Sequence, residues 1–328
     1  SLYPKYWDRR ILVSFPLWRG LPHRGGYADS PDPLQVPSDL PALTCIETQN
    51  SKPPNPEEET MTTAESTQIQ GQYSIIEETS SNPFGRVYRA EHRFLENQVV
   101  SLHAFEDSVF NEHLRSVENL RSLTGNTNFV QLLDFDPHAE QPYLVTELIS
   151  GLTLRSRIEE EGAIPFQEAL QVMLQIVGAL RFAHSNEIVH QNITPDDIHL
   201  TGGGDVKISG YGLGAIAVRA ALECGPNKVT ESGRDLSTLL KYKTKIQKTG
   251  QEAGVKDDIY ALGILFHQML TGSFPKKQTL PTDLVPNLPS IVNQIYARCC
   301  TRPERRYDSA RDLLEDLGGV RRAVQPRA

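Results

Sequence analysis

Hydrophobic and polar positions divide the chain near residue 73. Beyond that point, short runs rich in β-branched and aromatic residues come first, at 73–77, 86–90, 98–104, 130–135 and 143–147, and each predicts a strand. A helical stretch at 109–123 interrupts them. After Gly151 the period lengthens. Phe166, Leu170, Met173, Val177, Leu180 and Ala183 recur at helical spacing, with Pro165 where a first turn tolerates proline. A second helix is predicted over 257–271, with Asp257 as N-cap, Leu262, Phe266 and Met269 as its stripe and Gly272 as its stop. Two more helices are expected over 288–300 and 309–317. A small strand-rich lobe followed by a larger helical one is an α+β arrangement.

The opening residues behave differently. They hold about half of the chain's 22 prolines and the acidic run Glu57-Glu58-Glu59, and no period persists there. Such a segment buries too little apolar surface to offset its ordering entropy, so residues 1–71 are expected to be a disordered extension. The first methionine is Met61, and the natural start is expected there; a genuine tail or a fragment of a longer protein are the alternatives. The globular domain is placed at 72–318, with the small lobe at about 72–149, the large lobe at about 150–318, and a tail at 319–328.

Charge and cysteine narrow the class. A net charge of −8 with no basic stripe argues against nucleic acid as a partner. The four cysteines, Cys45, Cys224, Cys299 and Cys300, form no CxxC and read as free thiols in a reducing compartment. No apolar run has the length of a membrane span, so a soluble, cytoplasmic protein is expected.

Three segments, taken in order, carry chemistry. His190-Gln191-Asn192-Ile193-Thr194-Pro195-Asp196-Asp197 resembles the catalytic loop H-R-D-L-K-P-x-N of eukaryotic-type protein kinases, found also as bacterial serine/threonine kinases. Lys207-Ile208-Ser209-Gly210-Tyr211-Gly212 resembles the strand entering D-F-G, 18 positions on from Asn192 to Gly210. Asp258-Ile259-Tyr260-Ala261-Leu262-Gly263 resembles the family's long central helix, and Arg302-Pro303-Glu304-Arg305-Arg306-Tyr307 its ending. The resemblance spans about Tyr73 to Leu317 and implies a two-lobed kinase-like fold.

The resemblance also shows what is missing. Kinases work by positioning ATP and neutralising phosphate charge. The catalytic base falls on Asn192, an amide that cannot take a proton, where general bases contribute about 10²–10⁴-fold. The preceding arginine is Gln191. The magnesium aspartate falls on Gly210, and the second metal ligand on Asp197, whose carboxylate can still hold a cation. The phosphate-binding lysine falls on His103, and its glutamate partner on about Ser116, with Glu112 and Glu118 as neighbouring alternatives. Of the glycine-rich loop only Gly85 remains, in Ser80-Ser81-Asn82-Pro83-Phe84-Gly85, and a plain hairpin is the simpler reading. The A-P-E end of the activation segment falls on Thr244-Lys245-Ile246, so Arg306 loses its usual glutamate. Lys241, Lys243, Lys245 and Lys248 read as a solvated loop or a landing place for an acidic partner.

Scaffold positions persist. Val87 matches the residue above the adenine, His190 and Tyr211 the packing column between the lobes, and Asp258 the aspartate that holds the catalytic loop. The vestigial nucleotide cleft comprises Gly85, Val87, Ser101, Thr146 at its back, the hinge from Glu147 to Ile149, and His199 on its floor. Ser101 and His199 put polar groups where the family has apolar ones, so the slot is expected to be partly self-filled.

The reading is a catalytically inactive kinase-like domain, a pseudokinase, binding a protein partner such as an active kinase, without a required cofactor. The alternatives are a weak or atypical serine/threonine kinase using ATP and magnesium through Asp197 and His103, and a metal-independent nucleotide sensor.

Overall fold

The computed structural model describes residues 68–69, 72–82, 85–95, 98–105, 121–210, 240–248, 253–276 and 279–324. All of them lie within the unit Ala42–Ala328. The extension before Met61, the helix expected at 109–123 up to residue 120, Ser116 with its neighbours Glu112 and Glu118, Tyr211, Cys45 and Cys224 lie outside the described residues.

Among the described residues, the strands of the small lobe form one antiparallel sheet. Its strands are β1 (Gln68–Ile69), β2 (Tyr73–Asn82), β3 (Gly85–His92), β4 (Val99–Phe105), β5 (Leu132–Asp136) and β6 (Tyr143–Glu147), in the order β1-β2-β3-β4-β6-β5. Strand alternation sorts β4 into two faces. Val100, Leu102 and Ala104 are buried among Tyr73, Ala90, Tyr143 and Val145. Ser101 and His103, on the opposite face, are only partly buried. The same alternation that builds the lobe core thus delivers these two polar residues to the other side of the sheet.

β2 and β3 stay paired to Asn82 opposite Gly85. Gly85 has φ of +147°, and a Cβ there would run into the Ala104 carbonyl on β4. Close approach of two strands therefore accounts for this glycine without any phosphate.

A second antiparallel sheet, β7 (Gly151–Thr153), β8 (Ile198–Thr201) and β9 (Val206–Ile208), opens the large lobe. Val130 N–H donates to the Ile208 carbonyl at 3.0 Å and Ile208 N–H to the Asn128 carbonyl at 2.7 Å. Val130 is spent on that contact, so β5 begins two residues later than the apolar run suggests.

The large-lobe helices are α1 (Leu154–Glu161), α2 (Phe166–Ser185), α3 (Lys245–Lys248), α4 (Val255–Thr271), α5 (Pro281–Leu284), α6 (Ile291–Cys300) and α7 (Ala310–Val324). α1 escapes periodicity because only Leu154 and Ile158 are buried on it; its cap is Thr153, whose Oγ1 accepts Ser156 N–H at 3.1 Å. α4 is buried nearly all round, from Ile259 through Leu262, Phe266 and Met269, each fully burying side chain contributing about 1.5–3 kcal/mol. It begins at Val255, two residues earlier than expected, so Asp257 is not the cap residue: Gly254 is, and Asp257 reaches back to accept Gly254 N–H at 2.8 Å. Gly272 ends α4 in the left-handed conformation, as expected. At Gly263 the helix meets α6 so closely that a Cβ would lie 2.5 Å from Cys299 Cβ and 2.7 Å from Cys300 Sγ. α7 continues to Val324, taking in 319–324 from the supposed tail.

Candidate functional site

The loop 190–197 hangs from one buried carboxylate. Asp258, in the first turn of α4, is 1% exposed. Its Oδ2 accepts His190 N–H at 2.9 Å, and its Oδ1 accepts Gln191 N–H at 2.8 Å. His184, near the end of α2, meets Oδ2 at 2.9 Å. These bonds over-determine Gln191, whose φ of 67° is unusual for a residue with a side chain. His190 lies at the centre. Its Nδ1 accepts Asn192 N–H, so the proton sits on Nε2, which donates to the Ser209 carbonyl at 2.9 Å. Burial pushes its pKa down to about 4, against the pull of Asp258, and the ring is neutral.

The chemical positions lie on this frame. Asn192 is buried, and its Oδ1 accepts from Lys243 Nζ at 2.7 Å. Asp197 Oδ2 accepts Thr194 N–H at 3.1 Å and Thr194 Oγ1–H at 2.7 Å. Gly210 has φ of +79°, and a Cβ there would lie 2.5 Å from Asp197 Oδ1. The Asp197 carboxylate therefore stands in the space that a side chain at 210 would need. Among the described residues, no three His, Cys, Asp or Glu side chains group as a metal site. Among the described residues, the donor set here is one carboxylate whose Oδ2 is bonded to Thr194, fewer oxygens than a magnesium site draws on.

The sheet side of the cleft is just as self-contained. Register sets Val87 opposite His103 and Ser101 opposite Thr146. Ser101 Oγ and His103 Nε2 are 3.3 Å apart, and desolvation lowers the histidine pKa to about 4, so His103 carries no charge for a phosphate. His199 Nε2 meets Ser209 Oγ at 3.0 Å, with burial lowering its pKa against Asp196. Both intrusive polar residues thus have partners within the protein. At the hinge, Glu147 Oε1 accepts Lys207 Nζ at 2.5 Å and Gln131 N–H at 2.9 Å, while Ile149 is partly buried.

Two anchors were not anticipated. Arg155 on α1 holds Asp196 through Nε at 2.8 Å and Nη2 at 2.7 Å. Lys243 is the larger surprise. Expected in a solvated loop, it is 2% exposed, with Nζ bound to the Gln191 carbonyl at 2.6 Å as well as to Asn192. Desolvation lowers its pKa to about 8, against the pull of Asp197 and Asp258. Lys241, Lys245 and Lys248 are exposed, as expected. The one signal for Lys243 was indirect: Thr194 stands where the family's loop carries lysine. Arg306 found other acceptors, donating through Nε to the Thr301 carbonyl at 2.9 Å and through Nη1 to the Lys256 carbonyl at 3.0 Å, over the Tyr260 ring.

An antiparallel small lobe, a helical large lobe and a loop suspended from a buried helix aspartate form the framework of a two-lobed kinase fold. The protein kinase domain model matches residues 73–321, and the chain belongs to the protein kinase family. It is 29% identical over 275 residues to a probable serine/threonine-protein kinase of Clostridium acetobutylicum, covering 78% of this chain and 41% of that protein. It is 29% identical over 269 residues to the serine/threonine-protein kinase PrkC of Bacillus subtilis, covering 76% and 40%. It is 28% identical over 211 residues to the serine/threonine-protein kinase PknB of Mycobacterium tuberculosis, covering 58% and 32%. The chain thus spans about two-fifths of the length of the first two relatives. Among the described residues, no helix is long and apolar enough to cross a membrane.

Proposed function

We propose that this kinase-family domain works as a pseudokinase: a regulatory module that binds a protein partner, such as an active kinase, and does not transfer phosphate. One observation carries the reading. At the phosphate end of the cleft, Asp197 is bonded to Thr194 and lies in the space a side chain at Gly210 would need. Asn192 and His103 add to it: the first is an amide, the second is neutral, and both are engaged by internal partners. The lost tasks are independent, and each is worth orders of magnitude in rate.

The relatives favour the second reading, an ATP-dependent serine/threonine kinase with altered residues, because each of the three is named as such a kinase. A metal-independent nucleotide sensor is the third, supported by the contiguous placement of Val87, Ser101 and Thr146 beside the hinge. A transfer assay with labelled ATP and magnesium, run beside heat-inactivated protein, separates the first two. The proposal expects no transfer above the control. Transfer that Asp197→Ala and His103→Ala both abolish would overturn it in favour of the second reading. A thermal shift with ATP in the presence of a chelator tests the third, since binding at a thousandfold excess over Kd stabilises by about 4 kcal/mol.

A further inference from the structure

Lysine is seldom buried, because its ammonium must give up water. Lys243 is buried all the same, and the residues around it are fixed as firmly. Tyr242, 1% exposed, donates its hydroxyl to Gln268 on α4 and stands edge-on to Phe274 at 5.6 Å. Gln247 donates through Nε2 to the Gln191 carbonyl at 3.0 Å, and its Oε1 accepts Thr244 N–H at 3.1 Å. Three side chains within 242–247 therefore tie this stretch to the catalytic loop and to α4. Two of them converge on one carbonyl, that of Gln191, the residue held at positive φ.

The position of the ammonium matters more than its burial. A group acting as base at residue 192 must come within about 2.6–3.2 Å of the hydroxyl it deprotonates. Lys243 Nζ already stands at 2.7 Å from Asn192 Oδ1. We propose that Lys243 is an internal occupant of the acceptor position, closing the catalytic-loop site from within against the hydroxyl of an incoming protein.

This inference rests on reading Asn192 as the base position and goes beyond the loss of the base. It makes the site filled, not merely blunted. It also gives asparagine a positive role: the amide oxygen accepts from the ammonium without adding another charge to a region that already holds Asp197 and Asp258. Restoring a carboxylate would not reopen the site. An aspartate at 192 would face an ammonium and draw the stretch down more firmly.

Amide hydrogen exchange on the full chain, read by mass spectrometry, tests this. The reporter amides are Lys243 N–H, bonded to the Leu240 carbonyl, and Lys248 N–H, bonded to the Thr244 carbonyl. The reference amides are those of His190 and Gln191, held by Asp258. Lys243→Met keeps the apolar stem and removes the charge; it should speed exchange at 243–248 by at least about tenfold and leave 190–191 unchanged. Asn192→Asp should slow exchange at 243–248. Unchanged rates in Lys243→Met would overturn the proposal. If that variant speeds exchange throughout α4 as well, it has lost general stability and Asn192→Asp decides: slower exchange at 243–248 supports the contact, and unchanged or faster exchange refutes it. Neither phosphate transfer nor partner binding enters the measurement, so it can fail while the proposed function stands.

Discussion

The backbone N–H groups of residues 190 and 191 are held from outside their loop; the Asp197 carboxylate accepts two bonds from Thr194, inside the same loop. The first pair depends on Asp258, 68 and 67 positions away, and on His190 reaching Ser209. The second pair closes a local turn between Thr194 and Asp197. The difference teaches which part of a kinase site is architecture. A long-range anchor must stay if the two lobes' junction is to keep its shape. A carboxylate bonded within its own loop, as Asp197 is to Thr194, depends less on the distant scaffold.

That contrast can be broken most forcefully at Asp258. Asp258→Ala strands two backbone donors that bonded to a charged group; with each such bond worth about 1.5–3 kcal/mol, a loss near 4 kcal/mol and a melting temperature lower by roughly 10 °C are expected by calorimetry. Acid should act on the same anchor. His190 has its folded pKa depressed to about 4 from 6.5. The unfolded chain therefore binds more protons between those values, so stability is full above pH 6.5 and is lost as pH falls toward 4, by about 3 kcal/mol from this group. Urea titrations at pH 7 and 4.5 should show that loss, and His190→Gln should remove its own share, leaving the part that His103, also depressed to about 4 by burial, contributes.

The local half should respond differently. Gly210→Asp restores the family's residue but not its site. The new Cβ meets Asp197 Oδ1, and the positive φ strains any side chain, costing about 1–3 kcal/mol. Added magnesium should not shift the melting temperature of this variant. The hinge ion pair is the mildest probe. Glu147 and Lys207 are both partly exposed, so Lys207→Met should cost no more than about 1 kcal/mol, measured by denaturant midpoint. A much larger loss would mean that the hinge, too, belongs to the architecture.

The sequence made the scaffold legible because periodicity and spacing report burial. The stripe from Phe166 to Ala183, the Gly272 stop and the Asp258 anchor are all found where the residues placed them. The strand at 143–147 matches to the residue. What stayed hidden had no period to reveal it. α1 carries two buried residues only, and the Arg155–Asp196 clasp joins residues 41 apart. Lys243 misled because charge ordinarily marks solvent, and its burial depends on acceptors more than fifty positions away. The run around Gly85 reads more simply as a hairpin than as a phosphate loop, and the pairing of Asn82 with Gly85, with Gly85 close against the β4 backbone, is that hairpin.

The seam at Gly263 offers something practical. Cys299 and Cys300 lie against the helix there, their thiols pushed well up by burial, Cys300 to about 12. Thiolate is the reactive form, so neither sulfur should be alkylated while α6 stays seated. The time course of alkylation at these two residues is thus a built-in clock for the opening of the large lobe, one that needs no ligand, no partner and no knowledge of what the domain does.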